Sequence, residues 1–196
     1  MMTNNTGNRV KAGEQIEAFS HKEAIALFAL ARNRLFDINS WHVFTGYDAG
    51  TFKLVTAKGE LLNRAPRQGD LIRVDVKGPG LRSLKKNEWM VIEEMHESYD
   101  HNHDEDYCEL KIRPVYAPDS PRSKHGHFYT EDACMAFVVQ RQGKVVVTGE
   151  KVNITELPGA HQEIKPGASS NDLIANLHTV QWNTIIRNLL LNKLRR

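Results

Sequence analysis

Apolar residues first fall into a regular period in the run after Ser20, where Ala24, Leu27, Phe28 and Ala31 recur at the three-and-four spacing of an α-helix. Ser20 stands three residues before Glu23, so each side chain can satisfy a backbone donor at the start of the helix, and the helix begins there. Residues 10–19 read as a first strand before it, and residues 37–44 as a shorter helical stretch ahead of Gly46. From Thr51 onward the period falls to two: Ile72, Val74 and Val76 alternate with Arg73 and Asp75, and Cys108, Leu110 and Ile112 alternate with Glu109 and Lys111. Such strands have one wet face. Residues 89–96, 133–139 and 145–152 are further β segments, with Gln142-Gly143 as the hairpin turn between the last two. Gly78-Pro79-Gly80, the polar run 100–106 and the segment 118–124 carry turn chemistry and read as loops inside one meander.

Helical periodicity returns near the end of the chain. After Pro158-Gly159 and Pro166-Gly167, the capping cluster Ser169-Ser170-Asn171-Asp172 opens a pattern that continues to the terminus. Trp182, Ile185, Ile186 and Leu189 occupy i, i+3, i+4 and i+7, and Leu173, Leu177 and Val180 begin a similar stripe, so the helix has to cover something apolar. Lys193, Arg195 and Arg196 suit the negative end of a helix dipole and call for no nucleic acid. The predicted fold class is α+β: a curved antiparallel sheet wrapped around a long C-terminal helix, with two short helices near the N-terminus.

That order of elements resembles the START-like helix-grip superfamily, which includes polyketide cyclase-like and pathogenesis-related-protein-like members. The resemblance spans residues 10–194 and rests on the short helix with Trp41, the loop Gly78-Pro79-Gly80 and the helix over 171–194. It implies a hydrophobic ligand cavity between sheet and helix. The fold's members bind lipids, hormones or polyketides and only some catalyse, so it transfers no catalytic residue. The excursion over 119–132 is longer than in the smaller members.

Composition narrows the classes. A chain of 196 residues, 40% hydrophobic and 26% charged, suits one folded domain over 10–196 after a polar, disordered tail at 1–9, and argues against a collagenous or membrane-embedded chain. A net charge of +2 supplies no global field to gather nucleic acid or anionic lipid. No apolar run approaches the roughly 20 residues of a membrane span. The two cysteines, Cys108 and Cys134, make no disulfide framework, and a reduced, cytoplasmic setting is expected.

No nucleophile elbow, phosphate-binding glycine loop, zinc-helix motif or CxxC is present, which removes the best-marked hydrolase, nucleotide and redox classes, and no cofactor is called for. Trp41, His42, Trp89, Tyr107, Tyr116, His178 and Trp182 form the aromatic and polar set from which a pocket could be built, although tryptophans also serve as plain core. The leading expectation is a protein that binds a lipid-like or polyketide-like hydrophobic molecule. Trp41, Tyr116 and Trp182 would be its walls, and His42 and His178 its orienting contacts. An enzyme using the same pocket for acid–base catalysis is the alternative, as is a metal site: His125, His127 and Glu131 give a His-x-His-x-x-x-Glu spacing resembling part of the cupin motif. A homodimer formed by the apolar helix face and a strand edge, with no ligand, is a third reading.

Overall fold

The structure, a computed structural model, describes residues 11–46, 50–75, 87–118, 134–153 and 182–191. The polypeptide opens with strand β1 (Lys11–Glu17), helix α1 (His21–Phe36), a 3₁₀ turn (Ile38–Ser40) and helix α2 (Trp41–Thr45). Six strands follow: β2 (Thr51–Val55), β3 (Leu71–Asp75), β4 (Asn87–Asp100), β5 (Glu105–Val115), β6 (Cys134–Gln142) and β7 (Val145–Asn153). Residues 182–188, here α3, are helical. Most of the long C-terminal helix expected from the pattern, together with Val76, Gly78-Pro79-Gly80 and the capping cluster at 169–172, lies outside the described residues.

Local signals account for the helices. Ser20 Oγ accepts from the Glu23 amide at 3.2 Å, and Glu23 Oε2 accepts from the Phe19 amide at 2.8 Å, so the return arm of the capping box lands one residue earlier than its usual target. Ala24, Phe28, Ala31 and Leu35 form the buried face of α1, with Leu27 half-buried beside them.

All six strand pairings are antiparallel, in the order β1-β7-β6-β5-β4-β3-β2. Strands β2 to β7 are a meander, as the alternation predicts. β1 leaves sequence order and pairs with β7, so β1 and β2 hold opposite edges and α1, the 3₁₀ turn and α2 carry the chain between them. α1 packs on β5, β6 and β7. Register shifts at Ala12/Glu14 in β1 and Ile92/Glu94 in β4 mark bulges, which bend and coil a sheet, and the sheet curls into a half-barrel with α1 and α3 on its concave face.

The run 100–106 departs from the loop reading. Only His101–Asp104 form the turn; Asp100 ends β4, Glu105 and Asp106 belong to β5, and Asp100 pairs with Glu105. The strands continue through polar sequence because Asp106, 6% exposed, meets Arg141 of β6 across the register, with Nε to Oδ2 at 2.5 Å. The same guanidinium reaches Asp104 Oδ1 at 2.6 Å and the Gly143 carbonyl at 2.9 Å, and His21 of α1 contacts Asp104 Oδ2 at 2.7 Å. Burial disfavours the charge on Arg141, but its two carboxylates outweigh that and hold it above the ordinary arginine range. The β6–β7 turn is Gly143-Lys144, one residue later than the expected Gln142-Gly143, with Gly143 at φ 58°, the positive φ that primed hairpin turns require.

The outer edge of β2 is satisfied locally: the Leu54 amide donates to Asn39 Oδ1 at 2.8 Å, and the Leu54 carbonyl accepts from the Leu62 amide at 2.8 Å.

β1 and α3 meet at Gly13. A Cβ there would stand 2.3 Å from Ile186 Cγ2 and 3.2 Å from Thr148 Oγ1. Ile186 is 1% exposed and cannot swing aside. Replacing glycine within a strand ordinarily helps by about 0.5–1 kcal/mol. At this position the sign reverses: Gly13→Ala is expected to destabilise by about 1–3 kcal/mol through overpacking, read from urea unfolding midpoints at unchanged m-value.

Candidate functional site

The concave face is built by strand alternation. Phe52 and Leu54 of β2, Ile72 and Val74 of β3, Met90 and Ile92 of β4, Cys108, Leu110 and Ile112 of β5, and Phe137 and Val139 of β6 all point inward and are buried. On β7 the inward positions are mixed: Val146 is followed at the same parity by Thr148 and Glu150, at 0% and 6% exposure. Glu150 stands opposite Phe137 in the register.

Trp182 descends from α3 into this face. Its ring lies 5.5 Å from Phe137, 5.6 Å from Phe52 and 6.3 Å from Trp41, the last at 90°. Trp41 makes further edge contacts with Phe52 at 5.2 Å and Phe137 at 5.8 Å. Edge-to-face and tilted contacts at these separations are the favoured arrangement of aromatic quadrupoles. Trp41 is fixed from behind as well, since its Nε1–H faces the carbonyls of Arg34 and Leu35 at 3.0 and 3.1 Å. Arg34 in turn donates from Nη1 to the carbonyls of Asn188, Leu189 and Leu191 at 3.0–3.2 Å, placing a cation on the electronegative end of α3.

The residues expected to form a site therefore stand as follows. Trp41 and Trp182 are brought together and lie at 0% and 2% exposure. His42 is half-buried in α2, and Tyr116 lies just past β5 at 37% exposure. His178 falls outside the described residues, as do His125, His127 and Glu131. Among the described residues no group of three or more His, Cys, Asp or Glu side chains is arranged to hold a metal. Cys108 and Cys134 are free thiols, and burial, with the Glu97 carboxylate adding to it, pushes Cys108 up to about 12, too high for a thiolate nucleophile at neutral pH. No helix among the described residues is long and apolar enough to cross a membrane.

Thr148 and Glu150 are absent from the expected set. The signal for them was the parity of β7 itself, which puts both on the side of Val146.

One edge of the concave face is closed by charge. Arg32 of α1 grips Glu97 of β4 through Nε to Oε2 at 2.6 Å and Nη2 to Oε1 at 2.8 Å, and Tyr99 donates to the same carboxylate at 2.6 Å. The hydrogen bonds from Arg32 outweigh burial and hold Glu97 below its ordinary value.

With its helical segment held against the inner face of a curled antiparallel sheet, the chain has an α+β architecture of the helix-grip kind. No family model matches the chain, and no curated protein matches it in sequence. Among solved structures it is similar to norcoclaurine synthase from Thalictrum flavum. The complex with dopamine and hydroxybenzaldehyde is 10% identical, with 89% of this chain and 84% of that one covered, at a TM-score of 0.39. A point mutant in complex with a transition-state analogue is 8% identical over 93% and 94%, at 0.39, and a truncated form is 10% identical over 97% and 99%, at 0.40. The strand order and the seated helix, and not this degree of likeness, define the fold.

Two measurements follow from this geometry. Trp182→Ala, which removes the ring that all three partners share, is expected to cost about 3–5 kcal/mol in chemical denaturation. The Arg32–Glu97 pair contributes stability above the unfolded carboxylate value and loses it as pH falls through the depressed folded value. Arg32→Met should therefore show a shallower fall in stability than the unaltered protein as pH is lowered from about 5 into the acid range, with the two curves converging at the acid end.

Proposed function

We propose that the protein binds a hydrophobic small molecule, lipid-like or polyketide-like, against the concave face of the sheet beside the C-terminal helix. The observation that carries this reading is the lining of that face, where an apolar patch running from Phe52 on β2 to Val139 on β6 meets the buried hydroxyl of Thr148 and carboxylate of Glu150 on β7. Ligand sites pair apolar walls with a few polar groups that fix orientation, and Thr148 and Glu150 stand beside the apolar patch as such groups. In this reading Trp41, Trp182 and Tyr116 serve as walls, and His42 and His178 join Glu150 in orienting the ligand. Met95 and Met135, half-buried against the core, are flexible side chains that can reshape around a guest.

Native mass spectrometry of the purified protein, with a denatured sample and elemental analysis as controls, tests the proposal. The expected result is a bound apolar molecule released on denaturation, or uptake of a fluorescent fatty acid by protein that emerges empty. An empty protein that takes up no such probe contradicts it. Stoichiometric metal would instead move the assignment to His125, His127 and Glu131, and an empty dimer to the interaction reading.

A further inference from the structure

Helix α1 is apolar on two sides. From Ala24 to Ala31 it contains no polar residue. Ala24, Phe28, Ala31 and Leu35 form the face that packs into the core. At about 3.6 residues per turn, Ile25, Ala26, Ala29 and Leu30 fall on the opposite face. All four are exposed, Ile25 at 50% and Leu30 at 36%, and Phe19, immediately before the cap, is exposed at 95%. A helix that only covers a core carries polar residues on its outer side, whereas one that is apolar all round is covered on both sides.

The charged residues that flank this outer face are engaged inside the subunit. Glu23 accepts from the Phe19 amide, Arg32 is turned onto Glu97, and Arg34 reaches the carbonyls at the end of α3. Of the outward positions from 22 to 33, Lys22 alone is charged, and Asn33 closes the other end. The C-terminal stripe that the sequence pattern offered for a dimer is not available, since Trp182, Ile185, Ile186 and Leu189 are buried against the sheet. A lipid surface is a poorer occupant than protein, because helices that lie on membranes present basic residues along their flanks, and here both flanking arginines are tied into the subunit.

The outer face reads the same from either end: polar, large, small, small, large, polar, in Lys22, Ile25, Ala26, Ala29, Leu30 and Asn33. The matching pairs, 22 with 33, 25 with 30 and 26 with 29, share one midpoint between Leu27 and Phe28. A surface with that internal symmetry is complementary to its own copy turned about a twofold axis at the midpoint, the isologous arrangement of most dimers. In the antiparallel pair the four alanines meet at the axis, where their small side chains let two helices approach to about 8 Å. Ile25 then lies level with the partner's Leu30, and Lys22 with the partner's Asn33, whose Oδ1 has a second lone pair beyond the bond it accepts from Arg32 at 3.0 Å. The two Lys22 ammonium groups are kept apart by about 16 Å of helix. A parallel pair would set them against each other and would align the two helix dipoles unfavourably.

We propose that the outer face of α1 is a dimerisation surface whose occupant is a second copy of this chain, paired antiparallel about the midpoint of the helix. It uses the side of α1 turned away from the sheet, so it is independent of whether the concave face holds a ligand. One helix face falls below the roughly 1,200 Å² of total area that marks weak, transient interfaces, so the dimer forms in the micromolar range. The test is sedimentation velocity of the full chain from about 1 to about 200 µM, which brackets that range. The expected result is a concentration-dependent monomer–dimer equilibrium, weakened by about a hundredfold or more in Ala29→Glu, which sets two like charges beside the axis. Far-ultraviolet circular dichroism of that variant should be unchanged, because glutamate is a good helix former at an exposed position. The register is read by disulfide trapping on a Cys134→Ser background: an equimolar mixture of Ile25→Cys and Leu30→Cys should cross-link faster than either variant alone, and this decides the matter if Ala29→Glu does not fold. The proposal is overturned by a chain that stays monomeric across the range, by Ala29→Glu dimerising as tightly as the unaltered protein, or by a mixture that cross-links no faster than the single variants. A monomer that binds phosphatidylglycerol vesicles and loses them in Ala29→Glu overturns it as well, and makes the occupant a lipid surface.

Discussion

Trp182 touches rings contributed by three well-separated parts of the chain: Trp41 from α2, Phe52 from β2 and Phe137 from β6. α2 ends the crossing segment and β2 follows it, while β6 lies near the other end of the sheet, so a single side chain ties both halves of the half-barrel to α3. The Arg34 guanidinium at the helix end and the absence of a side chain at Gly13 are subordinate to that contact. Arg34 fixes how far α3 slides along its axis, and Gly13 fixes how closely it approaches β1. Remove the central ring and the two edges of the sheet lose their common reference.

The two faces of the sheet solve different problems with the same seven strands. Inward, alternation delivers an apolar surface that excludes water, with Asp106, Arg141, Thr148 and Glu150 as its buried polar members. Outward, side chains of opposite charge cross between strands, and Lys151 spans β6 to reach β5, its stem covering Ala136 and Val138. A purely polar outer face would leave Tyr107 free to rotate. Here its hydroxyl is held by both Glu109 and Lys151.

What could be read in the sequence was local. Ser20 and Glu23 mark the start of α1, the Trp182, Ile185, Ile186 and Leu189 stripe is the buried face of α3, and the alternation around Ile72 and Leu110 is the inner face of β3 and β5. What could not be read depended on partners far along the chain. Asp106 looks like loop composition until Arg141, 35 residues later, takes its carboxylate, and no periodicity announces that β1 will pair with β7. Trp41 and Trp182 could be named as large apolar candidates, but their edge-to-face meeting is set by the fold. The outward face is harder still, since Ser98, Tyr107 and Gln140 form a row only once two strand registers are known.

The pairing of β1 with β7 also sets an order of events in time. The first strand leaves the ribosome long before β7, its neighbour in the sheet, exists, and the Glu14 amide finds Thr148 Oγ1 across 134 residues of chain. Contacts of such long range are slow to close, because the loop entropy is lost before the pairing repays it. The meander from β2 to β7 can assemble strand by strand as it emerges, but β1 has to wait, its apolar positions uncovered, until β7 is complete and the segment carrying Ile186 has been synthesised. For most of its synthesis, this chain is a sheet with one edge open.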